Sequence, residues 1–164
     1  LLILFGLVIS QGQVLAQPSV PLRMDSLLQR LVGRWEMSGT VRGNAVAYRL
    51  DVERVLQGRF IQLHMEDVSR PPRYEASVFL GVDSAQSRYI AHWMDAFGAG
   101  FSIPPGIGAM RGDTVQLRFD YPGGPFRDHF VYDRRQDSWY FRLESQDTSR
   151  VWRLFAEYQV RRRR

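Results

Sequence analysis

The stretch LLQRLVGRWEMSG, residues 27 to 39, decides how the rest of the chain is read. Leu27, Leu28 and Leu31 recur at helical spacing, the run stops at Gly33, and Trp35 opens a segment of strand character. A large ring at such a junction either anchors one end of a sheet or belongs to a site. The periodicity downstream of Trp35 decides between the two.

After residue 35 the dominant pattern has a period of two. Val46, Tyr48, Leu50 and Val52 fall on one face, while Ala47, Arg49, Asp51 and Glu53 fall on the other, as in a half-buried antiparallel strand. The alternation returns at Ile61, Leu63 and Met65; at Tyr74, Ala76, Val78 and Leu80; and at Val115, Leu117, Phe119 and Tyr121. It continues at Phe126, Phe130 and Tyr132, at Trp139, Phe141 and Leu143, and at Trp152, Leu154 and Tyr158. Turn residues punctuate these runs, including Arg42-Gly43-Asn44, Gln57-Gly58, Pro71-Pro72, Gly112-Asp113 and Pro122-Gly123-Gly124. Such spacing predicts an all-β sandwich or barrel. One segment breaks the rhythm: FGAGFSIPPGIGAM, residues 97 to 110, reads as a loop with at most one short strand near Phe101. Its Phe101, Ile103 and Ile107 suit a lid over a barrel mouth, and a plain flexible connector is the alternative.

At 164 residues, 45% of them hydrophobic, the chain is long enough for one domain with a sizeable core. With no cysteine it has no disulfide, thiol nucleophile or thiolate metal site. Residues 1 to 16, apolar at first and ending in Val14-Leu15-Ala16, read as a secretory signal peptide cut after Ala16, giving a periplasmic or secreted protein. A linker over 17 to 25, a barrel over 26 to 160 and a basic tail over 161 to 164 complete the organisation. Arg161 to Arg164 carry four of the net +5 charges, so the basicity describes a terminus that reads as solvated and disordered, and no nucleic-acid partner is implied.

A short helix, Gly-x-Trp at the start of the first strand, and an arginine in the last strand resemble lipocalin-like (calycin) proteins. The motif is Gly33-Arg34-Trp35, and the late arginine would be Arg153 or Arg150. Leu31-Val32-Gly33-Arg34-Trp35, Leu56-Gln57-Gly58-Arg59-Phe60, Tyr74-Glu75-Ala76 leading into Gly81-Val82-Asp83, and Tyr89 with His92-Trp93-Met94-Asp95 resemble the bacterial family catalogued as domain of unknown function 1579. The resemblance implies an antiparallel up-and-down calycin-like β-barrel of about 8 to 10 strands with a short N-terminal helix. It makes Gly33, Trp35 and Arg153 a structural anchor in which the cation packs over the indole. The second signature of true lipocalins, Thr-Asp-Tyr, is absent.

On strand parity, Tyr48, Tyr74, Trp93, Phe119 and Trp139 line an internal pocket with Asp95 at its mouth, or else they are packed core. His64 and His129 fall on outward faces, His92 is ambiguous, and no pair of histidines has metal-ligand spacing. No Gly-x-Ser-x-Gly elbow, phosphate loop, dinucleotide fingerprint or close acid pair is present. Asp95 and Asp128 could meet in space, but both read more simply as surface groups. The expected function is therefore binding of a small apolar or amphipathic ligand inside the barrel, with no cofactor, no nucleic acid and no membrane span in the mature chain. The alternatives are proton transfer or hydrolysis by His or Asp at the mouth, single-histidine haem or metal binding through His92 or His129, and a packed barrel with a structural role. N-terminal sequencing of protein recovered outside the cytoplasm should return a chain starting at or near Gln17; retention of Leu1 to Ala16 on folded, soluble protein would show that segment to be misread.

Overall fold

The computed structural model describes residues 26–163; the expected signal peptide and linker, and Arg164, lie outside the described residues. A six-residue helix, α1 (Ser26–Leu31), precedes ten strands: β1 (Gly33–Val41), β2 (Asn44–Val55), β3 (Phe60–Asp67), β4 (Glu75–Asp83), β5 (Arg88–Asp95), β6 (Gly106–Arg111), β7 (Thr114–Tyr121), β8 (Gly124–Asp133), β9 (Ser138–Gln146) and β10 (Trp152–Arg162). Each strand pairs antiparallel with its sequence neighbour, and β1 pairs with β10, so the sheet closes into an up-and-down barrel. Closure removes both sheet edges. The β1–β2 connection is a two-residue hairpin with positive φ at Arg42 (49°) and Gly43 (80°), the geometry whose twist matches the flanking strands.

Alternation places the core as expected along most of the sheet. Tyr48, Leu50 and Val52, then Ile61, Leu63 and Met65, then Ala76, Val78 and Leu80, are buried inside. In β10 the pattern fails, because the pairing with β9 shifts between Leu154 and Ala156. The extra residue, Phe155, reverses the facing of everything before it. Ala156, Tyr158 and Val160 are buried, whereas Leu154 is exposed and Trp152 lies under the guanidinium groups of Arg127 (4.5 Å) and Arg118 (5.7 Å).

The 97 to 110 segment is also shorter as a loop than its glycines suggest, since its last part is β6. A side chain at Gly106 would place Cβ 2.5 Å from the Phe119 ring, and one at Gly108 would strike the Gln116 carbonyl oxygen. These glycines admit a ring and a neighbouring backbone into a crowded strand pair. The irregular part is 96 to 105, with a single 3-10 turn at Ala99–Phe101.

One end of the barrel is sealed by α1, whose Leu27, Leu28 and Leu31 are buried. Trp35 is fully buried beneath it, and its indole N–H donates to the Leu31 carbonyl oxygen (2.7 Å). The cation over the indole is Arg162, 4.1 Å from the ring centroid, and not Arg153 or Arg150. Arg153, before the bulge, instead pairs with Asp147 (3.0 Å) at the other end of the barrel. Arg162 also donates to the carbonyl oxygens of Val32 (3.2 Å) and Arg30 (3.3 Å) and to Asp137 (3.0 Å). A Cβ at Gly33 would collide with that guanidinium, and Gly33 has φ of 138°, so the glycine of Gly-x-Trp leaves room for the arginine. The basic tail is thus in part structure: β10 runs through Arg162, and Arg163 pairs with Asp51 (3.5 Å).

Trp35→Ala should cost about 3 to 5 kcal/mol, the usual range for a buried indole. Arg162→Ala should cost about 1 to 2 kcal/mol through its lost cation–π and hydrogen-bond contacts, and Arg153→Ala less than about 1 kcal/mol. Urea unfolding of the three variants checks this ranking, and an Arg153 variant weaker than the Arg162 variant would contradict it.

Candidate functional site

Opposite the helix, the barrel is ringed by the turns at 42–43, 68–74, 96–105, 122–123 and 147–151. Toward this end the interior changes character. The lower half is dry and closed, with Trp35, Leu50, Ile61, Val78, Leu80, Ala91 and Val160 all at 0% exposure. Higher up, the inward rings of Tyr74, Trp93, Tyr121, Phe126 and Phe155 are only half-buried while still packed on the core.

These rings form a belt. Phe155 meets Phe126 (5.1 Å between centroids), Phe126 meets Tyr121 (5.8 Å), Tyr121 stacks on Phe119 (5.3 Å), and Phe119 meets Trp93 edge-on (6.4 Å). The Trp93 indole N–H donates to the Tyr74 hydroxyl (3.3 Å), Tyr74 meets Tyr48 (5.7 Å), and Tyr48 meets Tyr158 (5.9 Å). Phe155 and Tyr158 both belong to β10, so the circuit closes around the barrel axis.

Tyr48, Tyr74, Trp93 and Phe119, expected at one site, do fall in this belt, and Asp95 stands beside it. Trp139 does not: it lies in the closed half, against Tyr132 (5.1 Å) and Phe141 (6.4 Å). Asp95 is committed at both oxygens. Oδ2 accepts from the Tyr74 hydroxyl (3.2 Å) and Oδ1 from the Phe97 backbone N–H (3.0 Å), so it ties the 96–105 segment to the interior. Burial first, and then the neighbouring Asp95, push the Tyr74 hydroxyl above its ordinary pKa, which keeps it a donor. Past this tie, Phe97, Phe101 and Ile103 stand out at 68%, 66% and 65% exposure as an apolar lip.

The group that the sequence pattern undervalues is Asp128. It is a buried, inward residue between Phe126 and Phe130 on β8, not a surface carboxylate. Its Oδ1 has no hydrogen-bond partner, and burial alone pushes its carboxyl up to about 8. Phe126, Phe130 and Tyr132 mark one face of the strand, and position 128 shares it; that parity was the available signal. Tyr121 and Tyr158, also missed as site residues, lie close enough for the Asp128 charge to raise their pKa values, after burial in both and after Tyr48 in Tyr158.

The histidines are elsewhere. His64 is on the outer face with Ser77 (3.3 Å), His92 is exposed, and His129 is outward beside Arg142 on β9, its pKa lowered by burial and then by Arg127. Neither His92 nor His129 faces the interior, so single-histidine haem binding inside the barrel has no ligand there. Among the described residues no three His, Cys, Asp or Glu side chains could hold a metal ion, and no helix is long and apolar enough to cross a membrane.

The raised pKa of Asp128 has a stability consequence with a definite sign. The folded state keeps a proton up to about pH 8 that the unfolded chain releases near its ordinary value of 3.8, so stability falls as pH rises between the two. The limiting slope is about 1.4 kcal/mol per pH unit. Asp128→Asn should remove that slope, stabilising the protein progressively as pH rises from about 5 to about 8. Urea unfolding across that range is the measurement, and parallel curves for the two proteins would show that Asp128 is solvated.

Comparison with known proteins bears on fold and family. The crystal structure of Rv2717c from M. tuberculosis superimposes with a TM-score of 0.58 at 13% identity, over 86% of this chain and 99% of that one, which is a likeness of fold alone. No curated protein matches the chain. The model of the family described as "Protein of unknown function (DUF1579)" matches residues 20–162, nearly the whole of the barrel and its helix. With its Gly-x-Trp seal and closed ten-strand sheet, the chain belongs to the DUF1579 family as a calycin-like barrel.

Proposed function

We propose that this barrel binds one small apolar or amphipathic molecule in its upper half, and that it does so as an exported protein. The observation that carries the reading is Asp128: a wholly buried carboxyl with an unpartnered oxygen, set within a closed belt of half-buried inward rings. The Trp139 indole N–H in the packed half also lacks a partner, but a carboxyl is far costlier to bury unpaired than a neutral N–H. Aromatic walls with one or two placed polar groups are the ordinary lining of a small-molecule site. The exposed Phe97, Phe101 and Ile103 then serve as the lip a ligand crosses, with the 96–105 segment in the part of a lid. Export rests on the apolar stretch at residues 1 to 16 and its small-residue end.

Binding is favoured over catalysis by the placement of the histidines. All three are on the outer face, leaving the belt without an imidazole to take and return a proton near neutrality.

A neutral apolar ligand seated in the belt must contact Trp93. Titration with octanol and with a neutral naphthalene probe should therefore change tryptophan emission, and Trp93→Ala should weaken binding while leaving the fold intact. Should neither probe bind, and should Trp93→Ala destabilise as much as Trp35→Ala, the belt is packed core and the binding reading fails.

A further inference from the structure

The belt is chemically one-sided. It brings together ring faces from β2, β5, β7, β8 and β10 and three carboxyl groups: Asp95, Asp128, and Asp67 opposite Tyr48, the last already engaged by the Ser69 N–H and Arg73. Among the described residues no arginine pairs with Asp95 or Asp128; Arg42, exposed at the β1–β2 turn, lies over the Phe155 ring (5.1 Å), as Arg30 lies over Tyr132 and Arg162 over Trp35 at the closed end. Arg73, 78% exposed, stands on the same rim 3.6 Å from Asp67. Ring faces are electron-rich and attract cations, and a buried carboxyl without a counter-ion is completed by one. An anionic headgroup drawn in to Asp128 would leave these rim cations behind and meet an unpaired carboxyl.

From this geometry we infer that the ligand carries an amine, held as an ammonium group by the unpartnered Oδ1 of Asp128 and by the ring faces around it. The inference rests on the binding reading above and specifies its ligand class: an aliphatic or aralkyl amine whose apolar part lies against Trp93, Phe119 and the lip. Asp95 does not compete, because its oxygens are already engaged by Tyr74 and the Phe97 amide. The groups facing Asp128 are Tyr121 on β7, Tyr158 on β10 and Leu143 on β9, with Tyr48 and Asp95 beyond them. Within the described residues none of the Tyr48, Tyr121 or Tyr158 hydroxyls makes a hydrogen bond, so each has an oxygen lone pair for an N–H.

Binding has a proton balance. Free Asp128 is a neutral acid below about pH 8. When the ammonium arrives with its charge, the carboxyl releases its proton to solvent and the complex holds a carboxylate–ammonium pair. A neutral alcohol of the same length leaves the carboxyl protonated.

The experiment compares octylamine, octanol and octanoate on the full chain, by calorimetry near pH 7 in phosphate and in Tris, two buffers of different ionisation enthalpy. Octylamine should bind about tenfold or more tighter than octanol, the usual worth of a charge-assisted hydrogen bond, and octanoate weakest. Octylamine should release close to one proton and octanol none. In Asp128→Asn the preference should collapse to about twofold with octanol binding retained. Octanol or octanoate binding as tightly as octylamine, or octylamine binding with no proton release, would overturn the amine assignment and leave the binding site standing. Failure of all three to bind would remove the binding reading, and this inference with it.

Discussion

The structure depends on one contact, the Arg162 guanidinium lying 4.1 Å over the Trp35 ring. The two residues face each other across the pair of strands that closes the barrel, so this contact joins the first strand to the last. Arg162 reaches the Val32 carbonyl 130 positions away in sequence, and such a long closure costs loop entropy that must be recovered at the seam. It is recovered several times over at one point. The indole N–H ends on the helix carbonyl of Leu31, the guanidinium caps two further carbonyls at that helix end, and Asp137 between β8 and β9 holds the guanidinium from the side. A six-residue helix is too short to persist alone, and here its C-terminal carbonyls are satisfied by the residues it covers.

The same seam shows what a sequence does and does not carry. The period of two is set by side chains alternating across a sheet, and it revealed β2, β3, β4, β7, β8, β9 and β10 and the facing of most of their buried residues. It failed where backbone geometry intervenes without a compositional mark. The bulge at Phe155 moved Trp152 and Leu154 outside, whereas Arg153 misses Trp35 because of its height: it pairs with Ser145 at the far end of β10, and Arg162 is the residue opposite Trp35. Glycine misled in the other direction. Gly106 and Gly108 look like loop residues, yet they are required by the Phe119 ring and the Gln116 carbonyl inside a strand pair. The site was legible in part for the same reason. Parity brought Tyr48, Tyr74, Trp93 and Phe119 to one face, but it carries no height along the barrel, so Trp139 was grouped with rings that lie above it.

Height along the axis separates two kinds of interior in this protein. The closed half contains the large apolar core, and several of its polar groups pair with one another: Tyr132 donates to Asp137 (2.8 Å), and Arg30 lies over Tyr132, while the Trp139 indole N–H has no partner. The half beneath the 96–105 segment is built of equally apolar rings but retains Asp128 among them, a group that a purely structural barrel would be more stable without. A hydrophobic residue of similar size on the same strand face would have continued the pattern set by Phe126 and Phe130.

Asp95 and Asp128 differ in what holds them. Asp95 faces the mouth and is fully committed, one oxygen to the lip backbone at Phe97 and the other to Tyr74. Since Tyr74 accepts from the Trp93 indole, a continuous hydrogen-bonded chain runs from an inward ring to the base of the exposed 96–105 segment. Phe97 doubles that link by resting its ring against Tyr74 (5.8 Å) and against Phe101 (6.3 Å). Asp128 lies outside that chain and is free of it. One carboxyl thus fixes the entrance to the wall of the belt, and the other is left available within it.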